Sequence, residues 1–323
     1  MIIVTGGAGF IGSAFIAHLN REGVRDILIV DSLGSSEKWK NLRNLDFIDL
    51  MHKEAFLAHL KAGTAPSARA VVHMGACSST TETRYDYLLE NNFHYTRILA
   101  EWSLKHRARF IYASSAATYG DGAHGYDDDI AAVPQLRPLN MYGYSKQLFD
   151  LWAIRHGHLG SMVGLKFFNV FGPNEYHKGA MRSVVHKAFE EITTTGKMRL
   201  FKSNTPRFGD GEQMRDFVYV KDCTAVMAWL LRNPQVNGLF NLGSGLARSW
   251  KDLVNSVFAA LGRASAIEYI PMPGDLGRQY QNFTQATMDR LRNAGCPLHF
   301  HPLEQTVADY VQNYLLAADP FMG

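Results

Sequence analysis

The chain has 323 residues, which exceeds one ordinary hydrophobic core and suits one large domain with a smaller one. Hydrophobic residues make up 46% and charged residues 20%, as in ordinary globular proteins, and the formal charge of +3 is dispersed, which argues against a nucleic-acid partner. The longest apolar runs are strand-sized, which argues against a membrane span, and the widely spaced Cys77, Cys223 and Cys296 predict free thiols and no metal site.

The first half of the chain alternates short apolar runs with helical patterns. Strands are predicted at residues 2–4, 27–30, 70–73, 110–113 and 163–168. Helices are predicted at residues 13–20, 88–105 and 145–156. This alternation is typical of βαβ units, so we expect an α/β fold with a doubly wound, Rossmann-like parallel sheet. No signal-peptide pattern precedes the first strand, and we expect a cytoplasmic protein.

The second half of the chain has a less regular pattern of strands and helices. Three helices are predicted: one at residues 181–194, one that follows an N-cap at Ser249, and one from about 303 to 316. Strands are predicted at residues 215–220 and 239–242, and a surface loop at 203–213. We therefore predict a sheet domain at residues 1–170. Residues 171–323 should form a smaller α/β lobe over the carboxyl edge of the sheet, with part of it returning to the main sheet.

Three glycines lie between the first strand and the first helix. Gly6 permits a tight turn, Gly9 lets a pyrophosphate approach the backbone, and Gly12 lets the helix pack closely on the strand. The helix N-terminus would meet the phosphates with free N–H groups. Asp31, after the next strand, could accept hydrogen bonds from ribose hydroxyls. These features favour a dinucleotide site over the alternative, a glycine-rich turn without a ligand.

A second pattern carries acid–base chemistry. Tyr142 and Lys146 are four residues apart and so share one face of a helix. A nearby ammonium group should lower the tyrosine pKa from about 10 toward neutral, which suits proton exchange with a substrate hydroxyl. Ser115, at the end of the preceding strand, could hydrogen-bond the reacting oxygen. The alternatives are a packed aromatic for Tyr142 and a turn cap for Ser115.

These segments resemble the extended short-chain dehydrogenase/reductases that act on nucleotide sugars. The shared segments are residues 2–13, 112–120, 142–150 and 167–173. Further segments at 75–82 (Gly-Ala-Cys-Ser-Ser-Thr-Thr-Glu), 177–179, 215–220 and 281–285 are similar to the branch of that family that epimerises ADP-heptoses. The resemblance covers nearly the whole chain. It implies inversion of C6″ of ADP-glycero-β-D-manno-heptose, from D-glycero to L-glycero, through a transient 6″-ketone.

The resemblance also implies partners and a cofactor. The enzyme would bind an ADP-sugar, supply the heptose of the lipopolysaccharide inner core, and form a homo-oligomer, a pentamer in this family. The family's cofactor is tightly bound NADP. Asp31 normally selects NAD because a carboxylate repels the 2′-phosphate, but Lys38 and Lys53 could outweigh it. We therefore expect NADP to be preferred and NAD to be accepted.

Site residues follow from the resemblance position by position. Tyr142 and Lys178 would be the proton-exchanging pair, supported by Lys146 and Ser115. The cofactor site would comprise Gly6, Gly9, Phe10, Ile11, Gly12, Asp31, Ser32, Lys38, Lys53, Gly75, Ala76, Cys77, Ser78, Asn91, Tyr142 and Lys146. The ADP-sugar site would comprise Asn169, Lys178, Phe201, Lys202, Ser203, Asn204, Arg215 and Tyr280.

Two other functions compete with this one. Another NDP-sugar epimerase, dehydratase or oxidoreductase is the first, but a dehydratase would carry an acid where this chain reads Ser114-Ser115-Ala116-Ala117. A noncatalytic NADP-binding partner protein is the second. The joint presence of Ser115, Tyr142 and Lys146 argues against it.

Overall fold

The computed structural model describes residues 1–273, 281–297 and 299–323. The strands of the described chain are β1 (Ile2–Thr5), β2 (Ile27–Asp31), β3 (Asp49–His52), β4 (Ala70–His73), β5 (Arg109–Ser115), β6 (Met162–Phe167), β7 (Asn169–Phe171), β8 (Met198–Phe201), β9 (Met214–Tyr219), β10 (Gly238–Leu242), β11 (Ala247–Ser249) and β12 (Ile267–Ile270). Seven of them form a parallel sheet in the order β10-β6-β5-β4-β1-β2-β3. The doubly wound α/β fold predicted from the sequence is confirmed.

Helices cover both faces of this sheet. Those described are α1 (Phe10–Arg21), α2 (Lys53–Ala62), α3 (Tyr85–Leu88), α4 (Tyr95–Lys105), α5 (Met141–Arg155), α6 (Val184–Thr195), α7 (Val220–Arg232), α8 (Trp250–Ala260), α9 (Asp289–Asn293) and α10 (Leu303–Tyr310). One buried cluster joins α1, α7, α8 and α10 to the sheet. A second cluster joins α2, α4 and α5 to it. The near-continuous apolar strands β1, β2 and β4 are buried from both sides, as parallel strands require.

The chain beyond residue 170 builds two small sheets and lends one strand to the large one. β7 pairs with β9, which also pairs with β11, while β8 pairs with β12. β10 lies beside β6 in the main sheet. The second half of the chain therefore supplies both small sheets and one edge strand of the main sheet. The division at residue 170 stays a prediction.

Several helix boundaries differ from the sequence prediction, and two of the differences have a local explanation. α1 begins at Phe10 rather than residue 13, because Gly9 already serves as its N-cap. The helix expected from residue 181 begins at Val184, because the Ser183 side chain accepts a hydrogen bond from the His186 N–H at 3.3 Å. Residues Tyr176–Met181 instead form a separate 3₁₀ turn.

The described ranges contain no membrane-spanning helix and no metal-binding cluster. The helices there are too short or too polar to cross a bilayer. Their His, Cys, Asp and Glu side chains form no cluster suited to a metal ion. Cys77 and Cys223 are free thiols.

Candidate active site

The glycine turn between β1 and α1 is shaped by close backbone contacts. Gly6 has φ +67°, and a Cβ there would lie 2.5 Å from Gly75. A Cβ on Gly12 would lie 2.2 Å from the carbonyl oxygen of Gly6. The Gly9 N–H donates to that same oxygen at 3.0 Å. The turn therefore keeps the N-terminus of α1 open to a ligand, as a diphosphate requires.

Asp31 is already engaged at the end of β2. Its carboxylate accepts hydrogen bonds from the Ala8 N–H at 2.9 Å and from the Ser32 N–H at 2.7 Å. The Lys38 ammonium group donates to it at 2.7 Å, within a largely buried ion pair. Asp31 therefore meets a ligand as one member of a neutralised pair and not as a free carboxylate.

Two adjoining cavities at the carboxyl edge of the sheet collect the predicted cofactor residues. The smaller is lined by Asp31, Ser32, Lys38, Lys53, Asn91 and Tyr95, among others. The larger runs along the glycine turn to the helix α5 and is lined by Gly9, Phe10, Ile11, Gly12, Ser78, Tyr142 and Lys146, among others. Gly6, Gly75 and Ala76 line both cavities. An elongated ligand such as a dinucleotide fits this arrangement.

The smaller cavity contains a buried polar atom that a ligand could satisfy. The Tyr95 hydroxyl has no hydrogen-bond partner within the described structure, although the side chain is 9% exposed and lines the cavity. Burial raises the pKa of Tyr95 well above its usual value, so the hydroxyl stays a neutral donor. Beside it, Lys53 donates to the Asn91 side chain at 2.8 Å. These groups fit a polar nucleotide group.

Cys77 is the one predicted cofactor residue that does not line these cavities. Its backbone N–H donates to the Asn92 side-chain oxygen at 2.8 Å, and its carbonyl accepts from the Asn92 amide at 3.0 Å. Cys77 therefore shapes the loop after β4 through its main chain.

Tyr142 and Lys146 lie on α5 as predicted, but their electrostatics differ from the prediction. Burial raises the pKa of Tyr142, although a hydrogen bond with Ser115 opposes that shift. The Lys146 ammonium group donates to the Ala113 carbonyl at 2.8 Å, and burial lowers its pKa to about 8. The expected lowering of the tyrosine pKa toward neutral is therefore wrong for this structure, because desolvation by burial outweighs the effect of the Ser115 hydrogen bond.

Lys178 approaches the same region from the 3₁₀ turn after β7. It lines both the larger cofactor cavity and a neighbouring cavity of about 420 Å³ that also contains Ser115 and Tyr142. Its ammonium nitrogen lies 5.3 Å from the centre of the Phe10 ring. Burial lowers the pKa of Lys178, as a lysine that exchanges a proton near neutral pH requires. Two potential proton carriers thus line one cavity from two different elements.

The predicted substrate residues divide into four groups. Asn169 and Lys178 line the 420 Å³ cavity, whereas Phe201, Lys202, Ser203 and Asn204 are not part of its lining. Arg215 is 6% exposed, and its guanidinium lies 5.6 Å from the ring of Trp250, which does line the cavity. Tyr280 lies outside the described residues.

Other lining residues were not identified from the sequence. Phe217 and Trp250 form an edge-to-face pair with ring centres 5.0 Å apart. Arg182 stands four residues after Lys178 and pairs with Glu190 at 2.7 Å. The Gln281 side chain lies within the family-like segment 281–285 and donates to the Gly120 carbonyl. Two sequence features could have drawn attention to these residues. Arg182 follows Lys178 by four positions, and Trp250 directly follows the predicted N-cap at Ser249.

Comparisons with known proteins agree with this geometry. Residues 2–243 match the model of the NAD dependent epimerase/dehydratase family. The chain is 59% identical to an ADP-L-glycero-D-manno-heptose-6-epimerase of Nitratidesulfovibrio vulgaris (strain DP4), and the match covers 100% of both chains. A protein of the same name from Fusobacterium nucleatum subsp. nucleatum is 46% identical, again over 100% of both chains.

Solved structures give the same result for the fold. The Helicobacter pylori ADP-L-glycero-D-manno-heptose-6-epimerase superposes with a TM-score of 0.78 and 26% identity, covering 97% of this chain and 95% of that one. A Thermus thermophilus UDP-glucose 4-epimerase in complex with NAD has a TM-score of 0.72 and 23% identity, covering 96% and 98% of the two chains.

Proposed function

The chain belongs to the NAD-dependent epimerase/dehydratase family, and we propose that it interconverts the C6″ epimers of ADP-glycero-β-D-manno-heptose. The activity named for relatives that are 46% and 59% identical over the whole chain supports this substrate. The observation that carries the proposal is that Tyr142 and Lys178 line one cavity beside the cofactor-shaped cavity. The product would be a precursor of lipopolysaccharide heptose.

The cofactor in this proposal is NADP, with NAD accepted. A bound nicotinamide would accept a hydride from C6″ and return it to the same carbon. Lys38 neutralises Asp31, so the carboxylate that would repel a 2′-phosphate is offset at 2.7 Å. Ser32 and Lys53 line the same cavity and add a hydroxyl donor and a second positive charge.

The chain's own side chains would move the protons. C6″ is exocyclic, so rotation about C5″–C6″ can present either face of a 6″-ketone without turning the sugar ring over. The carbonyl oxygen then points in a different direction in each pose, and a donor within about 2.6–3.2 Å is needed in both. Tyr142, bonded to Ser115, serves one pose, and Lys178 serves the other.

Lys146 has a different task from these two groups. Its ammonium group is held by the Ala113 carbonyl at 2.8 Å and is 4% exposed, so it is fixed beneath the cofactor cavity. A fixed positive charge there favours a developing phenolate on Tyr142 when the tyrosine gives up its proton. Lys146 therefore supports the tyrosine electrostatically.

Half-reactions of two variants test whether Tyr142 and Lys178 each exchange a proton with a different epimer. Tyr142→Phe should still form reduced cofactor slowly with one pure epimer and hardly at all with the other, whereas Lys178→Met should show the opposite preference. Both should lose steady-state epimerisation by at least ~10²-fold, the usual size of a general acid–base contribution. The measurement is single-turnover absorbance of reduced cofactor with each epimer. A Lys178→Met enzyme that epimerises at near the parent rate would leave Tyr142 as the sole proton carrier.

A further inference from the structure

Glu175 is a buried carboxylate directly behind the turn that carries Lys178. Its side chain is 0% exposed, and it is not part of the lining of the substrate cavity. It sits immediately before the 3₁₀ turn Tyr176–Met181, and the Lys178 N–H donates to the Glu175 backbone carbonyl at 3.0 Å. A buried carboxylate is costly unless it is paired or hydrogen-bonded, so its position calls for a role.

The Glu175 side chain joins the two ends of the segment that walls the cavity. One carboxylate oxygen accepts the Ser183 N–H at 2.6 Å, and the other accepts the Ser183 hydroxyl at 2.6 Å. The Gly172 N–H, after β7, approaches the carboxylate at 3.4 Å. Lys178 and Ser183 both line the substrate cavity. The carboxylate therefore fixes the ends of a loop whose middle presents Lys178.

The same carboxylate is the negative charge nearest in sequence to Lys178. It raises the pKa of Lys178 against the effect of burial, while Lys187 on α6 lowers it. Burial raises the pKa of Glu175 itself, but the Ser183 bonds and the Lys178 charge favour its ionised form. His177 faces the cofactor cavity and has its pKa lowered to about 4, chiefly by burial, so it adds no charge near neutral pH.

We propose that Glu175 is the positioning residue of Lys178: its buried side chain fixes the turn that presents this lysine to the cavity and places a negative charge behind it. Tyr176 and Tyr310, the other titratable groups near the carboxylate, have pKa values raised mainly by burial and stay neutral. The proposal rests on the role of Lys178 in the proposed function. It adds a residue that tunes this role without touching the substrate.

The test measures Lys178 directly. Trace labelling with acetic anhydride across a pH series, read by peptide mass spectrometry, gives the labelling midpoint of Lys178 in the presence of cofactor. Glu175→Gln should move that midpoint to lower pH by roughly one unit, since the loss of an opposite charge near an ammonium group disfavours its protonated form. Glu175→Asp keeps the charge but withdraws it by one methylene, so its midpoint should lie between the other two.

A control and a second readout separate this proposal from its premise. Glu191→Gln removes a charge on α6 that pairs with Arg199, and it should leave the Lys178 midpoint unchanged. The epimerisation rate measured against pH should contain a limb that reflects the titration of Lys178. In Glu175→Gln that limb should move to lower pH together with the labelling midpoint. A labelling shift without a shift in the profile would uphold the Glu175 coupling and contradict the catalytic role of Lys178.

Two results would overturn the proposal. The first is an unchanged Lys178 midpoint in a folded Glu175→Gln protein. If that variant does not fold, Glu175→Asp decides, and the contradicting result is a midpoint equal to that of the parent.

Discussion

The pair of Asp31 and Lys38 shows how a single contact can change the interpretation of a residue. Asp31 alone indicates NAD, because its carboxylate would bind ribose hydroxyls and repel a phosphate. The structure places the Lys38 ammonium group 2.7 Å from this carboxylate, with two backbone N–H groups on its oxygens. The acid is therefore neutralised before any ligand arrives.

Lys38→Ala tests whether this pair admits NADP. Removing the ammonium group leaves the Asp31 charge to repel a 2′-phosphate, so NADP affinity should fall by about tenfold or more, equivalent to about 1.4 kcal/mol, while NAD affinity changes little. Calorimetric titration with each dinucleotide gives both constants. Lys40→Ala is the control, because Lys40 pairs with the exposed Glu37. Equal NADP affinity in the parent and Lys38→Ala would refute the role given to Lys38.

At the residue scale, the sequence predicted positions better than it predicted contacts. The spacing of Tyr142 and Lys146 placed both on α5, and the cavity linings contain both. The rise in the tyrosine pKa depends on burial by distant segments, which no local spacing reports. Arg182 and Trp250 reach the substrate cavity through tertiary packing of the second lobe, so local spacing does not predict their place there either.

At the element scale, α1 depends on one close approach. A Cβ on Gly12 would meet the Gly6 carbonyl oxygen at 2.2 Å and the Gly7 Cα at 2.9 Å, both of them backbone atoms that cannot rotate away. Gly12 thus sets the distance between the helix and the turn that would hold the diphosphate.

Gly12→Ala should push α1 away from this turn. We expect a loss of about 1–3 kcal/mol in the free energy of unfolding, the usual cost of overpacking, together with weaker dinucleotide binding. Urea unfolding and cofactor titration measure the two effects. Gly160→Ala is the matched control, because a Cβ there has no neighbour within 4 Å. A Gly12→Ala protein as stable as this control would contradict the packing argument.

Elements with strong apolar patterns were predictable, and half-exposed ones were not. β1, β2 and β4 are buried throughout and appeared in the sequence as apolar runs. β3 has an exposed or half-exposed pattern at every position, so it carries no such run. β8 was missed because its partner, β12, comes more than sixty residues later, and such pairing is set by tertiary contact.

At the scale of the whole molecule, buried neutral histidines couple folding to pH. His73 is 1% exposed and lies between the Thr5 hydroxyl at 2.5 Å and the Thr96 hydroxyl at 2.8 Å. Burial lowers its pKa to about 3, and burial likewise lowers the pKa values of His177 and His186 to about 4. The folded state therefore binds fewer protons than the unfolded chain below about pH 6.5.

Stability should consequently fall as the pH drops from about 6.5 toward 4. His73 alone should cost about 2 kcal/mol between pH 6.5 and 5. Burial raises the pKa of Asp128 to about 6 and also raises the pKa values of Asp150, Glu175 and Asp216, so these carboxyl groups take up protons in the folded state and offset part of this loss. Urea unfolding at a series of pH values measures the slope. His73→Asn should flatten it, and His59→Asn, at an exposed position of α2, should not. A His73→Asn protein with the slope of the parent would contradict the assignment of a neutral buried His73.

We infer that this chain epimerises C6″ of an ADP-heptose and returns the hydride that it removes. The most direct measurement incubates the purified protein with pure ADP-D-glycero-β-D-manno-heptose, without added nicotinamide cofactor, and follows the nucleotide sugars by chromatography and proton NMR. We expect a mixture of the two C6″ epimers, with no net formation of reduced cofactor, and no inversion of UDP-glucose under the same conditions. An ADP-heptose that stays unchanged, even after NADP and NAD are supplied, would contradict it.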